Sequence, residues 1–278
     1  MYEAHFGLDE LPFGITPDTS YTFLSRGHQE ALNTLLLAIE SGEGFIKVTG
    51  EVGTGKTLLC RRLINSLGSN VQLAYLPNPY MGSQTLMLAL AEELGLGPDI
   101  AHDEYHVLKA INQALLQFAE AERPVVVLID EAQAMPVETL EALRLLSNLE
   151  TEKRKLLQII LIGQPELDEK LSARSVRQLR QRIAFDYRLP LLSRVETSAY
   201  LEHRLRVAGF RGGSLFQQRA QHALHRASKG TPRLLNILAH KALLAAFGEG
   251  NKEVTLQHVR LAAGDTPGTC RIGWSSSA

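Results

Sequence analysis

Residues 45–57 decide the fold; they are Phe45-Ile46-Lys47-Val48-Thr49-Gly50-Glu51-Val52-Gly53-Thr54-Gly55-Lys56-Thr57. The apolar run at the start predicts a short buried strand, and the residues from Gly50 match the spacing G-x-x-x-x-G-K-[ST] in full. Glycines let the backbone turn tightly, so that successive N–H groups face phosphate oxygens. A helix predicted from Lys56 adds the positive end of its dipole. The stretch therefore predicts a phosphate-binding loop between a strand and a helix.

This loop predicts contacts to a nucleoside triphosphate and Mg²⁺. We expect Lys56 to neutralise the β- and γ-phosphates and the Thr57 hydroxyl to bind Mg²⁺. The alternative is a plain glycine turn, but the strand before the loop and the helix after it favour phosphate binding. The expected nucleotide-binding residues are Gly50, Glu51, Val52, Gly53, Thr54, Gly55, Lys56, Thr57 and Leu58.

Strands and helices are predicted to alternate up to Pro190. Such alternation is typical of an α/β fold with right-handed βαβ units and a parallel sheet covered on both faces. The predicted strands are Phe45–Val48, Val71–Leu76, Val125–Ile129, Leu156–Ile162 and Phe185–Leu189. The predicted helices between them are Lys56–Leu67, Ser83–Leu94, Tyr105–Glu120, Val137–Leu149 and Leu167–Arg182, preceded by an amphipathic helix around residues 32–39.

The pattern changes after Pro190, because no strand signal remains and four helices are predicted. They are Val195–Val207, Ser214–Ala227, Pro232–Phe247 and Thr255–Ala263. Pro232 suits a first-turn position, and Thr255 suits an N-cap. We therefore expect a nucleotide-binding domain at 1–190, a small all-helical domain at 191–264 and a flexible tail at 265–278.

A second chemical signal is the apolar run Val125–Ile129, which is followed at once by Asp130 and Glu131. We expect Asp130 to hold Mg²⁺ and Glu131 to polarise the attacking water. A solvated strand end is the alternative for this pair alone, but the phosphate loop elsewhere in the chain favours the catalytic interpretation.

Two polar residues follow other predicted strands. Gln164 follows the strand Leu156–Ile162 and has two interpretations: it positions the water or contacts the γ-phosphate, or it caps the helix after Pro165. Asn78 likewise either reaches Glu131 and holds it off the water, or serves as a turn residue in Pro77-Asn78-Pro79.

Arginines supply the remaining candidates. Arg180 and Arg182, and less so Arg177, precede the last strand, where an arginine can reach a neighbouring subunit's γ-phosphate in trans. Solvated helix charge is the alternative. Arg233 starts a helix of the second domain, where it can lean over the nucleotide and report its phosphate state to that domain.

Composition narrows the class of protein. The 278 residues carry a net charge of −1, so no overall basic field attracts nucleic acid or anionic lipid. Two cysteines, Cys60 and Cys270, are typical of a reducing cytoplasm, and Cys60 is expected in the core. The amino-terminal residues do not resemble a signal peptide, and no apolar run is long enough to span a bilayer. The scattered histidines predict no metal site.

Taken together, these residues resemble the AAA+ ATPases, and more narrowly the ExeA/GspA-type secretion ATPases, nearest their MSHA-type pilus biogenesis members. The phosphate loop is common to NTPases in general, whereas the block that starts at Asp130 narrows the resemblance to this group. It covers nearly the whole chain and rests on FGLDELPFGITPD, HQEALNTLLLAIESGEGFIKVTGEVGTGKT, DEAQAMPVETLEALRLLSNLET, IGQPEL, LRQRI and GTPRLLN.

The resemblance implies a P-loop NTPase αβα sandwich with a five-stranded parallel sheet and a helical lid. It implies that Gln164 is sensor 1, that Arg180 or Arg182 is the arginine finger, and that Arg233 is sensor 2. Residues from Pro17 to His28 would form the wall against the adenine. Relatives continue into a membrane span and a peptidoglycan-binding domain, which this sequence does not include, so we expect neither membrane insertion nor peptidoglycan binding.

The implied function is an Mg²⁺-dependent ATPase that binds ATP or ADP, self-associates into a ring or another homo-oligomer, and drives pilus or secretion-system assembly. The implied location is the cytoplasm or the periphery of the inner membrane, beside assembly proteins. An alternative is an ATP-dependent DNA-binding regulator like the transposition helper ATPases, for which Arg204, Arg206 and Arg211 supply basic charge. A nucleotide-binding protein without turnover is a third interpretation, disfavoured by the Asp130-Glu131 pair.

Overall fold

A computed structural model describes residues 1–16, 18–97, 103–150 and 155–270. These residues form two compact units. The sheet unit contains residues 27–51 and 59–189. The helical unit contains residues 1–26, residues 52–58 and the chain from Pro190. Among the described residues, no helix combines the length and apolar composition needed to cross a bilayer.

The sheet unit is built on five parallel strands in the order β2-β3-β4-β1-β5. Their bounds are β1 (Phe45–Thr49), β2 (Gln72–Leu76), β3 (Val125–Ile129), β4 (Gln158–Gly163) and β5 (Ile183–Arg188). The register pairs Val48 with Ile162 and Leu128 with Ile160. The predicted α/β class and five-stranded parallel sheet are therefore confirmed.

Twelve α-helices lie within the described residues. Those up to residue 180 are α1 (Glu3–Phe6), α2 (Arg26–Glu40), α3 (Lys56–Ser66), α4 (Ser83–Glu93), α5 (Glu104–Glu120), α6 (Val137–Leu146), α7 (Glu166–Leu171) and α8 (Arg177–Arg180). The others are α9 (Arg194–Val207), α10 (Gln218–Ser228), α11 (Pro232–Gly248) and α12 (Leu256–Gly264). Three 3₁₀ turns lie at Thr19–Tyr21, Ala132–Ala134 and Arg174–Val176.

Strand β3 is apolar at every position because both of its faces are buried. Val126 and Leu128 pack into a core with α2 and α3. Val125, Val127 and Ile129 pack into a second core with helices α4 to α8. A strand that is buried on both faces needs apolar side chains at every position. The sheet unit is accordingly a three-layer αβα sandwich.

The helical unit has its own core, to which the amino-terminal segment contributes. Phe13 and Tyr21 are buried among residues of α9 to α11, and the Phe13 ring meets Phe216 edge to face at a centroid distance of 5.8 Å. The described residues of 1–26 therefore belong to the unit of the helices that follow Pro190, whereas the predicted domain 1–190 grouped them with the strands. The sequence shows that the side chains before the first strand are apolar. It does not show which of the two cores they pack into.

Two predicted helices begin or end differently in the structure. The helix predicted from Ser214 begins at Gln218, because Phe216 bridges Val254 in extended conformation and the N–H of Gln217 donates to Val254 O. The helix predicted over Leu167–Arg182 is divided into α7, a 3₁₀ turn and α8. The break follows Ser172, whose hydroxyl bonds back to the Asp168 carbonyl, and the chain is extended at Ala173.

The predicted helix signals in the carboxyl-terminal part agree with the structure. Pro232 occupies the first turn of α11, and Thr255 is the N-cap of α12. Past α12, the N–H of Cys270 donates to the Ala227 carbonyl at 3.1 Å. Residues 271–278 of the predicted flexible tail lie outside the described residues. The flexibility of the tail stays a prediction.

Candidate active site

Three chemistry-bearing segments begin at one edge of the sheet. Gly50 follows β1, Asp130 follows β3 and Gln164 follows β4. Strand β4 lies between β1 and β3, and the strands are parallel, so their carboxyl ends are neighbours. The N–H of Gly50 donates to the carbonyl of Gly163 at 3.1 Å, which extends the ladder past the last residue of β1. This edge is where ligands bind in open α/β sheets.

The phosphate loop turns at two left-handed glycines. Gly53 has φ +78° and Gly55 has φ +96°, a region that residues with a Cβ rarely adopt. Within the loop the side chains of Thr54 and Lys56 are buried, at 1% and 5% exposed, whereas Glu51 and Val52 are exposed. Helix α3 begins at Lys56, so the loop leads directly to a helix amino terminus.

Helix α11 starts beside this loop, within the helical unit. The N–H of Arg233 donates to the Gly53 carbonyl at 3.2 Å, and the Arg233 side chain is exposed. The turn before the helix depends on Gly230, which has φ +78°; a Cβ there would lie 2.1 Å from the Leu192 carbonyl oxygen. The Gly230-Thr231-Pro232-Arg233 segment thus puts the predicted sensor 2 residue next to the phosphate loop.

Asp130 lies at the end of β3, where it is 3% exposed. Its N–H donates to the Leu76 carbonyl at 3.0 Å, and its Oδ1 accepts from the N–H of Glu131 at 2.9 Å. Burial raises the pKa of the Cys60 thiol, and the Asp130 carboxylate raises it further. Cys60 is fully buried, as predicted, and its raised pKa keeps the thiol protonated and unreactive.

Glu131 has a backbone conformation that is unusual for its residue type. Its φ is +53°, in the left-handed region. Strained backbone of this kind is concentrated at functional sites. Its Oε2 accepts from Gln164 Nε2 at 3.0 Å and from Gln133 Nε2. Gln164 therefore contacts the predicted catalytic carboxylate, and its side chain does not cap α7.

Asn78 is a different case. Its Oδ1 accepts from the N–H of Tyr80 at 3.4 Å, which makes it a turn residue. In the described structure the side-chain partners of Glu131 are Gln133 and Gln164, so the predicted contact between Asn78 and Glu131 is wrong. Proline on both sides of Asn78 favours this local turn. Gln133 was missed because nothing in its local sequence marks it.

The two favoured arginines differ in their surroundings. Arg182 Nη1 donates to Ser147 Oγ at 2.7 Å, at the carboxyl-terminal end of α6. Arg180 is exposed, and its Nη1 has a long contact of 3.4 Å with Ser172 Oγ. Arg177 is also exposed. Both residues of the favoured pair are exposed, but Arg182 makes a short hydrogen bond to a helix end, whereas the contact of Arg180 is long.

Comparisons with known proteins agree with this geometry. A family model described as an AAA domain matches residues 39–171. General secretion pathway protein A of Aeromonas hydrophila is 42% identical over 277 residues, which is 99% of this chain and 50% of that protein. This chain is therefore similar to general secretion pathway protein A over nearly its whole length, and residues 39–171 match the AAA model. It spans half the length of that relative.

Solved structures resemble this chain in fold. The ORC2 protein of Aeropyrum pernix, solved in ADPNP–ADP complexes, has a TM-score of 0.64 at 18% identity, over 92% of this chain and 71% of that one. Cdc6p of Pyrobaculum aerophilum has a TM-score of 0.65 at 16% identity, over 89% and 70%. The RuvB branch migration motor of Thermotoga maritima has a TM-score of 0.57 at 17% identity, over 89% and 73%. Identities this low show the fold alone.

The residue types at this site fit a nucleotide and Mg²⁺. Two left-handed glycines and the start of α3 offer backbone N–H groups to phosphate oxygens, and Lys56 adds an ammonium group. The Thr57 hydroxyl and the Asp130 carboxylate are hard oxygen donors, which Mg²⁺ prefers. The predicted adenine wall starts at Pro17, which lies outside the described residues.

Proposed function

We propose that this chain is an AAA+ ATPase that binds ATP with Mg²⁺ and hydrolyses it. The observation that carries the proposal is the hydrogen bond that Gln164 donates to the Glu131 carboxylate, at the sheet edge where the phosphate loop begins and where the Glu131 backbone is left-handed. A purely structural acid at a strand end does not need a glutamine from the neighbouring strand to hold its carboxylate.

Each residue has a stated role in this proposal. Lys56 and the loop N–H groups hold the phosphates, and Thr57 and Asp130 hold Mg²⁺, which neutralises charge on the phosphates when bound. Glu131 orients the attacking water and accepts its proton. Arg233 responds to the phosphate state from within the helical unit, where its N–H already bonds to the loop. ADP is bound by the same loop.

The proposed biological role is to convert nucleotide binding and hydrolysis into conformational change during type IV (MSHA-type) pilus or secretion-system assembly. Support for it comes from the 42% identity to general secretion pathway protein A. The partners would be assembly proteins at the inner membrane and further copies of this chain. Self-association is required because an exposed arginine such as Arg180 completes the site of a neighbour.

The DNA-binding alternative loses part of its support. It relied on Arg204, Arg206 and Arg211 as a basic surface, but Arg204 is only 8% exposed. Its Nε donates to the Pro12 carbonyl, and its guanidinium stacks over the Tyr21 ring at 4.5 Å. Arg204 therefore joins the amino-terminal segment to α9 and is not available to a phosphate backbone.

The deciding experiment is steady-state ATPase activity over a series of protein concentrations with Mg²⁺, for wild type and Glu131→Gln. We expect the activity per protomer to rise with concentration, because association completes each site. We expect Glu131→Gln to lower kcat by about 100-fold or more, since a positioned general base contributes about 10²–10⁴-fold. Its affinity for a fluorescent ATP analogue should stay within about twofold of wild type, because the phosphate loop is intact.

A matched control is Glu138→Gln, the same change at an exposed residue of the first turn of α6. It should leave kcat unchanged. A Glu131→Gln variant as active as wild type would remove Glu131 from the mechanism. ATP binding without turnover by either protein would replace the hydrolase by a nucleotide-binding switch.

A further inference from the structure

We propose that Gln133 is a positioning residue for hydrolysis, which together with Gln164 anchors one oxygen of Glu131 and leaves the other for the water. The inference rests on the proposed ATPase function. Gln133 lies in the 3₁₀ turn Ala132–Ala134, two residues after Glu131. Its Nε2 donates to Glu131 Oε2, and its Oε1 accepts from the backbone N–H of Gln164 at 2.9 Å.

These contacts fix the orientation of the Gln133 amide without ambiguity. A backbone N–H only donates, so its partner on Gln133 is the amide oxygen. An ionised carboxylate only accepts, so its partner is the amide nitrogen. Both requirements are met by one rotamer, and Gln164 Nε2 adds a second donor to the same Oε2 at 3.0 Å. Glu131, Gln133 and Gln164 thus form a closed ring of hydrogen bonds, here called the amide clamp.

The surroundings hold the amide clamp in place. Lys170 of α7 donates to the carbonyl of Gln133 and, at 2.8 Å, to that of Met135. Gly163 makes room for the clamp, since a Cβ there would lie 2.9 Å from Gln133 Oε1. The turn that carries Gln133 is therefore fixed from α7 on one side and from the end of β4 on the other. A residue serving only as a surface turn would not need such support.

The amide clamp fixes the orientation of the Glu131 carboxylate. In the described structure both side-chain hydrogen bonds of this carboxylate go to Oε2, which fixes the plane of the carboxylate. Oε1 is then the oxygen left to accept a hydrogen bond from the attacking water. Supporting hydrogen bonds of this kind matter because a general base misplaced by about 1 Å loses about 10²-fold in rate.

Two variants separate hydrogen bonding from packing. Gln133→Glu keeps the shape and the acceptor for Gln164 N–H, but replaces the donor to Glu131 by a negative oxygen. Gln133→Ala removes the whole group. We expect kcat to fall about tenfold or more in the alanine variant and further in the glutamate variant, with KM for ATP within about twofold, because the phosphate loop is untouched. If Gln133 only filled space, the glutamate variant would match wild type.

Coupling to Gln164 and a matched control sharpen the test. The double variant Gln133→Ala with Gln164→Ala should lose less than the product of the two single losses, since both act on one oxygen. Asn78→Ala should keep kcat within about twofold, because Asn78 closes its own turn. A higher kcat in Gln133→Ala would overturn the proposal, since the amide would then restrain Glu131 and not position it. An equal loss in Asn78→Ala would also overturn it.

A spectroscopic readout keeps the clamp testable even without turnover. In protein labelled with ¹⁵N-glutamine, Glu131→Ala should shift the side-chain amide signals of Gln133 and Gln164, because both lose the same acceptor. The side-chain signal of Gln181, an exposed glutamine, should not move. Shifts in a wild-type protein that hydrolyses no ATP would support the clamp while the proposed ATPase function fails. Unmoved signals for Gln133 and Gln164 would overturn the clamp whatever the activity.

Discussion

Gly53 is a position of the phosphate loop where an added side chain would disturb the loop conformation. Its φ is +78°, which costs an L-residue about 1–2 kcal/mol. In addition, a Cβ at Gly53 would lie 2.6 Å from the Arg233 Cβ and 3.4 Å from Thr231 Cγ2. The loop glycine is therefore required twice, for its backbone conformation and for the close approach of α11.

We expect Gly53→Ala to weaken ATP binding by about tenfold or more, because the added methyl group must displace either the loop or the start of α11. The measurement is titration with a fluorescent ATP analogue. Gly82→Ala is the control, since Gly82 has φ −69° and open space around it. Equal affinities of wild type and Gly53→Ala would show that the loop adapts its conformation on binding.

At this scale the sequence predicts what lies within one motif and misses what forms between motifs. The spacing in the phosphate loop and the acids after β3 name their residues directly. Gln133 gains its role only when the ends of β3 and β4 meet, so that Gln164 N–H and Glu131 reach the same amide. Asn78 was assigned to Glu131 by its place after a strand, but its neighbours Pro77 and Pro79 favour a local turn.

Among the elements, α7 is a short helix that is joined to the sheet by an ion pair. It has six residues, too few to be stable alone in water. Asp168 of α7 forms an ion pair with Lys47 of β1, and Lys47 also pairs with Asp186 of β5 at 2.9 Å. The Lys47 side chain is 7% exposed, whereas those of Asp168 and Asp186 are 40% and 60% exposed. The buried Lys47 ammonium therefore depends on the two carboxylates to balance its charge, whereas water can solvate the carboxylates.

This asymmetry predicts an order of stabilities. Lys47→Met removes the buried charge and leaves two carboxylates that water can solvate, so we expect a loss of about 1 kcal/mol or less. Asp168→Asn with Asp186→Asn leaves the ammonium without a countercharge, so we expect about 3 kcal/mol. Urea unfolding measures both. Adding Lys47→Met to the double variant should recover most of its loss. A double variant as stable as wild type would contradict the account.

Element prediction succeeded where burial alone determines the sequence and failed where a distant segment intervenes. The run Val125–Ile129 is apolar throughout because both faces of β3 are covered, and its predicted bounds match the structure. The helix predicted from Ser214 loses its first residues to the pairing of Phe216 with Val254. That pairing joins residues far apart in the chain, so local periodicity carries no sign of it.

For the whole molecule, the division into units also depends on contacts between distant parts of the chain. Asn236 of α11 donates to the Gly14 carbonyl at 2.9 Å and accepts from the Tyr200 hydroxyl at 2.7 Å. The bond to Gly14 ties the amino-terminal segment to a helix residue 222 positions later in the chain, and the bond from Tyr200 joins α9 to the same Asn236 side chain. The change from strands to helices after Pro190 marks a boundary that the sequence shows. Tertiary contacts such as these determine which unit residues 1–26 belong to.

The last prediction concerns the assembly of several copies of the chain. It distinguishes the role of Arg180 from that of Arg182. Arg182 is engaged with Ser147 at the end of α6, so Arg182→Ala should lower thermal stability. Arg180 faces solvent, so Arg180→Ala should keep its stability and lose concentration-dependent activity. In a head-to-tail assembly the finger and the site of one interface come from different copies.

Mixing two inactive variants tests this directly. Glu131→Gln supplies an intact Arg180, and Arg180→Ala supplies an intact Glu131, so a mixed assembly contains complete interfaces. With random mixing at equal amounts, about a quarter of the interfaces are complete, and activity should recover to about that fraction of wild type. Arg182→Ala at a temperature where it is folded should keep its own activity. No recovery on mixing would mean that Arg180 does not act on a neighbour's site, and the finger would have to be sought at Arg177 or elsewhere on the exposed surface.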